Sequence, residues 1–355
     1  MRTPHVDRIR RSLGLLGAVA ASNFRRLRHP TTLSFAVTWR CNLRCRTCNI
    51  WRRAPTDGEL TPAQADDFFR RTDGFRWVGL TGGEPLLRPD LAAIVDAAAR
   101  CRTLDTIQIN TNGQLREAAL ALLEHVRRRH PRLRVVLTVS VDGPPDVHNR
   151  IRGKAGAWER AAATFVAAKS VRGVKAQVGY TICADNLGRF AAAYEALRSA
   201  WPALRFDDVN VNVFQTSGHY YGNEGMAPPD DTALFREIDA ILALDRDRPS
   251  VNNALRRRYL RLYQRYLAER RSPLRCQALS VTCFLDPAGD LYPCVVFPRV
   301  LANVRSLEGG LRDLWGTAAA RALHRQCSSG GCPACWSPCN AFSAIGGSLL
   351  RAALT

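Results

Sequence analysis

Between residues 33 and 214, short apolar runs alternate with helical patterns, and the first four runs each end in a polar or glycine-rich signature. The runs are Leu33 to Thr38, Arg76 to Thr81, Thr106 to Asn110, Val135 to Val141, Ala176 to Cys183 and Asp208 to Phe214. Helical periodicity falls after Leu60-Thr61-Pro62 and over Pro89 to Cys101, Leu115 to Arg129, Ala157 to Ser170 and Phe190 to Trp201. Strands separated by helices need crossover connections, and a series of them builds a parallel sheet. Six units predict an α/β fold whose sheet curls into a partial (β/α)6 TIM-like barrel. Sites in such barrels lie at the C-terminal ends of the strands. There the chain places three cysteines, then Gly82-Gly83-Glu84-Pro85, Asn110-Thr111-Asn112-Gly113 and Asp142-Gly143. Four motifs on one rim predict a single site.

The cysteines Cys41, Cys45 and Cys48 are spaced C-x3-C-x2-C. Three thiolates in so short a run can hold three irons of a cubane and leave the fourth without a protein ligand. An open iron binds a small molecule, which suggests catalysis over electron storage. A zinc site would draw on C-x2-C pairs and a fourth ligand. Seven of the twelve cysteines lie between Cys276 and Cys339, many at ligand spacing, and only Cys101 and Cys183 stand apart. This distribution favours metal ligands over disulfides, hence a reducing, cytoplasmic compartment.

The formal charge of +20 would ordinarily suggest an anionic partner. Only Lys154, Lys169 and Lys175 are lysines among 51 basic residues, so the charge reads as arginine spread along the chain. At the N-terminus, Arg8, Arg10 and Arg11 precede an apolar run from Leu13 to Ala21, which resembles a signal peptide. Export conflicts with an oxygen-sensitive centre. Read as a helix over residues 1–30, the segment aligns Ile9, Leu13, Leu16, Ala20, Phe24 and Leu27, so it either packs on its own domain or lies on a membrane surface. The expected location is cytoplasmic, peripheral to the membrane in the second case, and no stretch is long enough to span a bilayer.

The cysteine run and Gly82-Gly83-Glu84-Pro85 together resemble the radical S-adenosylmethionine (SAM) superfamily. The resemblance implies a barrel over residues 31–215 and a [4Fe-4S] cluster on Cys41, Cys45 and Cys48. S-adenosylmethionine would chelate the open iron and be cleaved by one electron to a 5′-deoxyadenosyl radical, the electron coming from a flavodoxin or ferredoxin. It places Gly82, Gly83, Glu84 and Pro85 at the cofactor's methionine portion, with Asn110, Asn112, Ser140 and Asp142 nearby and Arg152 on its carboxylate. Where many members carry an aromatic residue just before the third cysteine, this chain has Thr47, and Trp51 is the nearest substitute for an adenine contact.

After a helical connector (216–272), residues 273–355 resemble the SPASM and twitch auxiliary-cluster extensions. Cys276-x12-Gly289-x4-Cys294 matches the opening half of the pattern and Cys332-x2-Cys335-x3-Cys339 the closing half, with Cys283 and Cys327 as further ligand candidates. One or two auxiliary clusters are implied, the best single set being Cys276, Cys294, Cys332 and Cys335. Cys183 is a candidate hydrogen donor at the end of the fifth strand, and His219, Tyr220 and Tyr221 are candidate substrate contacts. Thirty residues before the first strand are too few for the peptide-recognition domain of many peptide maturases. That points to a peptide bound without such a domain, or to a sugar, lipid-linked molecule or other small metabolite, with an anionic or membrane-linked substrate as a subsidiary expectation and a peptide maturase of the SPASM type as the alternative. A non-catalytic iron–sulfur or zinc scaffold binding nucleic acid would explain the charge but not the ordered rim, so no specific nucleic acid is expected.

Overall fold

The computed structural model describes residues 24–53, 58–245 and 250–354, together with residues 14, 17, 18 and 20–22. Six parallel strands follow one another: β1 (Thr32–Ala36), β2 (Trp77–Thr81), β3 (Thr106–Thr111), β4 (Arg134–Ser140), β5 (Val174–Ile182) and β6 (Val209–Val213). The helices between them are α1 (Pro62–Arg71), α2 (Leu91–Ala98), α3 (Arg116–Arg129), α4 (Pro145–Arg152), α5 (Ala157–Lys169) and α6 (Phe190–Ala200). A parallel sheet covered on both faces usually reads as continuous apolar strands. These strands alternate instead, as in Val209-Asn210-Val211-Asn212-Val213. The registers put Leu33, Val78, Ile107, Val135 and Val209 on the outer face, packed under the helices. Ser34, Gly79, Gln108, Thr138, Gln177 and Asn210 share the opposite face, which lines the concave interior. There Gln108 and Gln177 each donate to the Thr138 hydroxyl at 3.0 Å.

The helix α4 went unread in the sequence, although Pro145 at its first turn and the left-handed Gly153 after its end are standard boundary signals. The expected helix over residues 1–30 lies mostly outside the described residues; the described residues from 14 to 22 are helical.

The C-terminal cysteine-rich region continues the barrel's own sheet. β7 (Thr282–Leu285) pairs in parallel with β1, and β8 (Asp290–Tyr292) and β9 (Ala302–Asn303) continue the sheet antiparallel, in the order β6-β5-β4-β3-β2-β1-β7-β8-β9. The physical reason is the free edge of β1, whose backbone groups need partners. The connector is two helices, α7 (Asp231–Leu244) and α8 (Val251–Glu269), and α9 (Leu311–Gly316), α10 (Ala318–Ser328) and α11 (Pro338–Leu354) complete the chain. α11 packs on α8 and β7.

One buried cation fixes the exit of β1 towards the cysteines. Arg88 donates to the carbonyls of Val37 (2.8 Å) and Leu60 (3.0 Å) and forms a two-pronged pair with Asp90. Glu59 completes the brace by accepting from the Thr38 hydroxyl at 2.6 Å and the Trp39 amide at 3.0 Å. Arg88→Met would strand both carbonyls and the Glu59 carboxylate, and each buried group left unsatisfied costs about 1–3 kcal/mol. A lowered urea midpoint together with reduced iron uptake is the expected result.

Candidate functional site

The three rim cysteines lie on the loop after β1, with Cys45 buried and Cys41 and Cys48 partly buried. A hydrogen bond from Cys48 lowers Cys45 to about 6, against the effect of burial and with help from the Arg152 charge. Cys48 is pushed well up by that same bond and by burial, and burial raises Cys41 to about 11.

The glycine turn serves this loop directly. A Cβ on Gly82 would meet the Thr38 carbonyl oxygen at 2.3 Å, and one on Gly83 the Arg40 carbonyl oxygen at 2.2 Å. The amides of Gly83 and Glu84 bond those two carbonyls at 2.8 Å each, and φ of +136° at Gly82 is a further reason for glycine there. The close approach inferred from Gly-Gly is thus made to the cysteine loop itself. Glu84 is fully buried and its carboxylate accepts from the Leu86 amide (3.1 Å), the Thr111 hydroxyl (2.9 Å) and the Asn112 amide (2.7 Å). Its acceptor capacity is directed at β3 and Leu86. Pro85 opens a short 3-10 turn behind it. Asn112 in turn donates to Asn42 at 2.7 Å, and its amide nitrogen lies 4.0 Å from Cys41 Sγ.

From the far side, α4 closes on the same loop. Arg152 Nη2 pairs with Asp142 at 2.6 Å, Nη1 lies 3.9 Å from Cys45 Sγ, and Nε is buried without an acceptor. The Arg44 and Arg46 amides bond the Arg152 and Ile151 carbonyls, and a Cβ on Gly153 would strike the Arg44 carbonyl oxygen at 2.5 Å. Asp142 also accepts from the Thr181 amide, and its own amide donates to His148 Nδ1 at 3.0 Å. Burial, followed by the Arg152 charge, holds His148 neutral, down to about 2. Asn110 is tied into the interior ladder through Gln108 and the Leu80 carbonyl, and Ser140 is half-buried at the end of β4.

Cys183 is buried just beyond β5 among Val147, Ile151 and Phe214, and burial raises it to about 12. His219, Tyr220 and Tyr221 lie on a strap that crosses between the two cysteine regions. Asn49 bonds the Tyr221 and Gly222 carbonyls, Asn223 bonds the Thr47 carbonyl at 3.0 Å, and His219 Nε2 lies 3.1 Å from the Cys294 carbonyl. Tyr220 is buried against Trp39 and Phe284, with its hydroxyl 2.9 Å from that of Thr81. Trp51 is occupied by the flanking guanidiniums of Arg44 and Arg52.

In the C-terminal set, Cys276, Cys294, Cys327 and Cys332 pack around Ala278 and Phe297, and the Cys335 charge acts on both Cys276 and Cys294. The amides of Ala278 and Phe297 point at the sulfurs of Cys276 (3.5 Å) and Cys294 (3.4 Å), the arrangement that stabilises bound thiolates. Cys283 is not brought to this group. It lies in the sheet on β7 with its sulfur 3.9 Å from the Thr32 carbonyl, because its register opposite Leu33 turns it into the core. Cys339 is exposed at the start of α11, with Ser34 of the interior face as hydrogen-bond partner. Both Cys339 and Cys48 act electrostatically on Tyr220 and Tyr221. Among the described residues, no three His, Cys, Asp or Glu side chains converge on a single-ion site.

The decisive comparison matches residues 36–184 to the radical SAM superfamily. These residues make up a radical SAM domain. The chain is an enzyme that works with an iron–sulfur cluster and S-adenosylmethionine. Over 340 residues it is 26% identical to the mycofactocin maturase MftC of Mycobacterium ulcerans (strain Agy99), covering 86% of this chain and 80% of that protein. Native anSMEcpe with bound AdoMet shares the fold at a TM-score of 0.60 and 16% identity, over 91% of this chain and 98% of that one. Streptococcus suis SuiB bound to the precursor peptide SuiA does so at 0.58 and 15%, over 84% and 67%. The residues present fit the expected group: three thiols on one loop, an orphaned Arg152 Nε beside Cys45 and N–H groups aimed at the C-terminal sulfurs.

Residues that the sequence reading missed are mostly braces: Glu59, Arg88, His148 and Asn223. No motif marks them. Glu84, raised to about 7 chiefly by burial, gives a pH test. The folded protein then holds more protons than the unfolded chain between about 4.5 and 7, so this group's contribution to stability falls as pH rises through that window. Glu84→Gln should flatten the loss, at most about 3 kcal/mol from a shift of this size. Urea unfolding at pH 5 and pH 7.5 measures it.

Proposed function

We propose that this radical SAM enzyme modifies a peptide, with an auxiliary iron–sulfur cluster on its C-terminal cysteines. When bound, the cofactor pair supplies a 5′-deoxyadenosyl radical able to take hydrogen from an unactivated carbon. In this reading Cys41, Cys45 and Cys48 hold the cluster, the Gly82–Pro85 turn and Asn112 shape the seat, and Arg152 orients the cofactor's carboxylate through its free Nε. Asp142 holds that guanidinium in place, and His148 holds the Asp142 backbone.

The observation that carries the peptide reading is the likeness to MftC, a named maturase, along most of both chains. The SuiB complex offers a fold neighbour with a precursor peptide in place. This favours the alternative, a peptide maturase of the SPASM type, over the open choice among metabolite, sugar, lipid-linked molecule and peptide. The auxiliary cluster is assigned to Cys276, Cys294, Cys332 and Cys335, with Cys327 against Cys332. The strap residue Tyr221, half-buried and close to both Cys48 and Cys339, is assigned to the substrate cavity wall with His219 and Tyr220 behind it.

Anaerobic reconstitution followed by dithionite and S-adenosylmethionine tests the reading. The wild type is expected to form 5′-deoxyadenosine. Cys45→Ala is expected to lose this by at least about a hundredfold, the scale for removing an essential catalytic part, while retaining the C-terminal iron. A fully loaded wild type that produces no 5′-deoxyadenosine would overturn it.

A further inference from the structure

The carboxamides of the barrel interior fall into two groups. Gln108 donates to Asn110 at 2.9 Å and to Thr138 at 3.0 Å, Asn110 donates to the Leu80 carbonyl at 3.3 Å, and Gln177 donates to Thr138 at 3.0 Å. Gln215, just beyond β6, donates to the Val213 carbonyl and the Tyr263 hydroxyl. Asn210 and Asn212 stand apart from this set. Both alternate with buried valines on β6 and lie partly buried on the interior face, and neither side chain makes a hydrogen bond among the described residues. Each carboxamide carries two N–H donors and an acceptor oxygen. Asparagine is also depleted in strands, so two of them in a five-residue strand weaken it on both counts. A local rule broken twice on one face, with nothing inside the protein to offset it, marks a functional position.

The surroundings say what these carboxamides meet. Asn210 lies opposite Gly179, and Gly179 lies opposite Ser140, two residues before the Asp142 that holds Arg152. Gly179 contributes no side chain, so a trough of two strand spacings, about 9–10 Å, separates Ser140 from Asn210. Asn212 is the next interior residue, opposite Thr181, whose amide bonds Asp142 at 3.0 Å. Alternate residues of one strand stand roughly 6.6 Å apart, which is also the repeat of an extended peptide backbone. Along β1 to β6 the charged residues are Arg134 and Lys175, both exposed at the N-terminal ends of their strands. From there to the rim the strands present no charge to the interior, although the whole chain carries +20. A charged group brought into the trough would lose its water without gaining a partner on the strands.

We propose that Asn210 and Asn212 hold the substrate by its main chain. An uncharged segment of peptide lies extended along β6, its backbone amides and carbonyls on the two carboxamides, with the side-chain-free position at Gly179 leaving room towards Ser140. This rests on the peptide reading above and narrows it to a segment without charge. A backbone offers a donor and an acceptor at each repeat, so it serves both asparagines at once, whatever its side chains. The charge spread over the rest of the chain plays no part in this contact.

The test uses the full-length, cluster-loaded enzyme with S-adenosylmethionine and no reductant. The probe is the capped peptide acetyl-Gly-Val-Ala-Tyr-Ala-Val-Gly-amide, beside one twin with alternate backbone nitrogens methylated and another with aspartate at the centre. Titration followed by saturation-transfer NMR should show the wild type binding the parent peptide and each twin about tenfold or more weakly. N210V/N212V should lose about tenfold or more in affinity for the parent, the scale of one or two hydrogen bonds. The urea midpoint of the same variant should rise, because valine suits a strand and leaves no carboxamide unpaired; a purely structural role for the asparagines would lower it. Equal affinity of variant and wild type for the parent, or of the methylated twin and the parent for the wild type, overturns the main-chain site and leaves the peptide reading standing. A wild type that does not bind the parent overturns the proposal. Maltotriose binding that N210V/N212V abolishes would then give the site to a sugar and take the peptide reading with it. If the double valine variant does not load iron, Asn210→Ala/Asn212→Ala is read in the same titration, with the same loss expected.

Discussion

The site depends on two main-chain hydrogen bonds between the Gly82-Gly83-Glu84 turn and the carbonyls of Thr38 and Arg40. They lock the start of the cysteine loop to the end of β2, at a separation that any Cβ on either glycine would prevent. Glu84 carries the connection to the end of β3 through Thr111 and Asn112, and Asn112 returns it to Asn42 inside the loop. Three strand ends are thus cross-braced before a cofactor binds. Desolvating the Glu84 carboxyl is the energetic cost of the brace, and three donors offset part of it.

On the other flank the brace is electrostatic. Arg152 sits between Asp142 and Cys45, so the loop is held by a buried guanidinium whose charge is matched on both sides. The left-handed Gly153 then lets α4 end against the Arg44 carbonyl. Loop and helix end share backbone hydrogen bonds at Arg44 and Arg46, which ties the position of Cys45 to the position of α4.

Much of this was legible in the sequence. Strand and helix alternation, the rim signatures and the two cysteine groups follow from local patterns, and local patterns report local structure. What stayed hidden is long-range. The pairing of β7 with β1 joins residues far apart in the chain, and Thr282-Cys283-Phe284-Leu285 has no alternation to show which neighbour it will take. Cys283 looked like a ligand because its spacing counts residues, whereas its register decides which way the thiol faces. The helix α4 was missed because its eight residues are largely polar and only its end signals mark it. Buried braces such as Arg88 and Glu59 depend on contacts that no motif encodes.

The continuity of the sheet through β7 has one more consequence. With β1 as the shared strand, the rim loop and the C-terminal cysteine hairpin hang from adjacent hydrogen-bonded neighbours, and their spacing is set by a ladder. The chain is therefore poorly divisible. Cutting it ahead of the C-terminal region would not release a smaller barrel but would bare the long side of β1, an adhesive edge next to the cysteine loop. The segment that carries the C-terminal cysteines thus has a structural duty as well, since it covers the edge of the strand that leads into the rim cysteines.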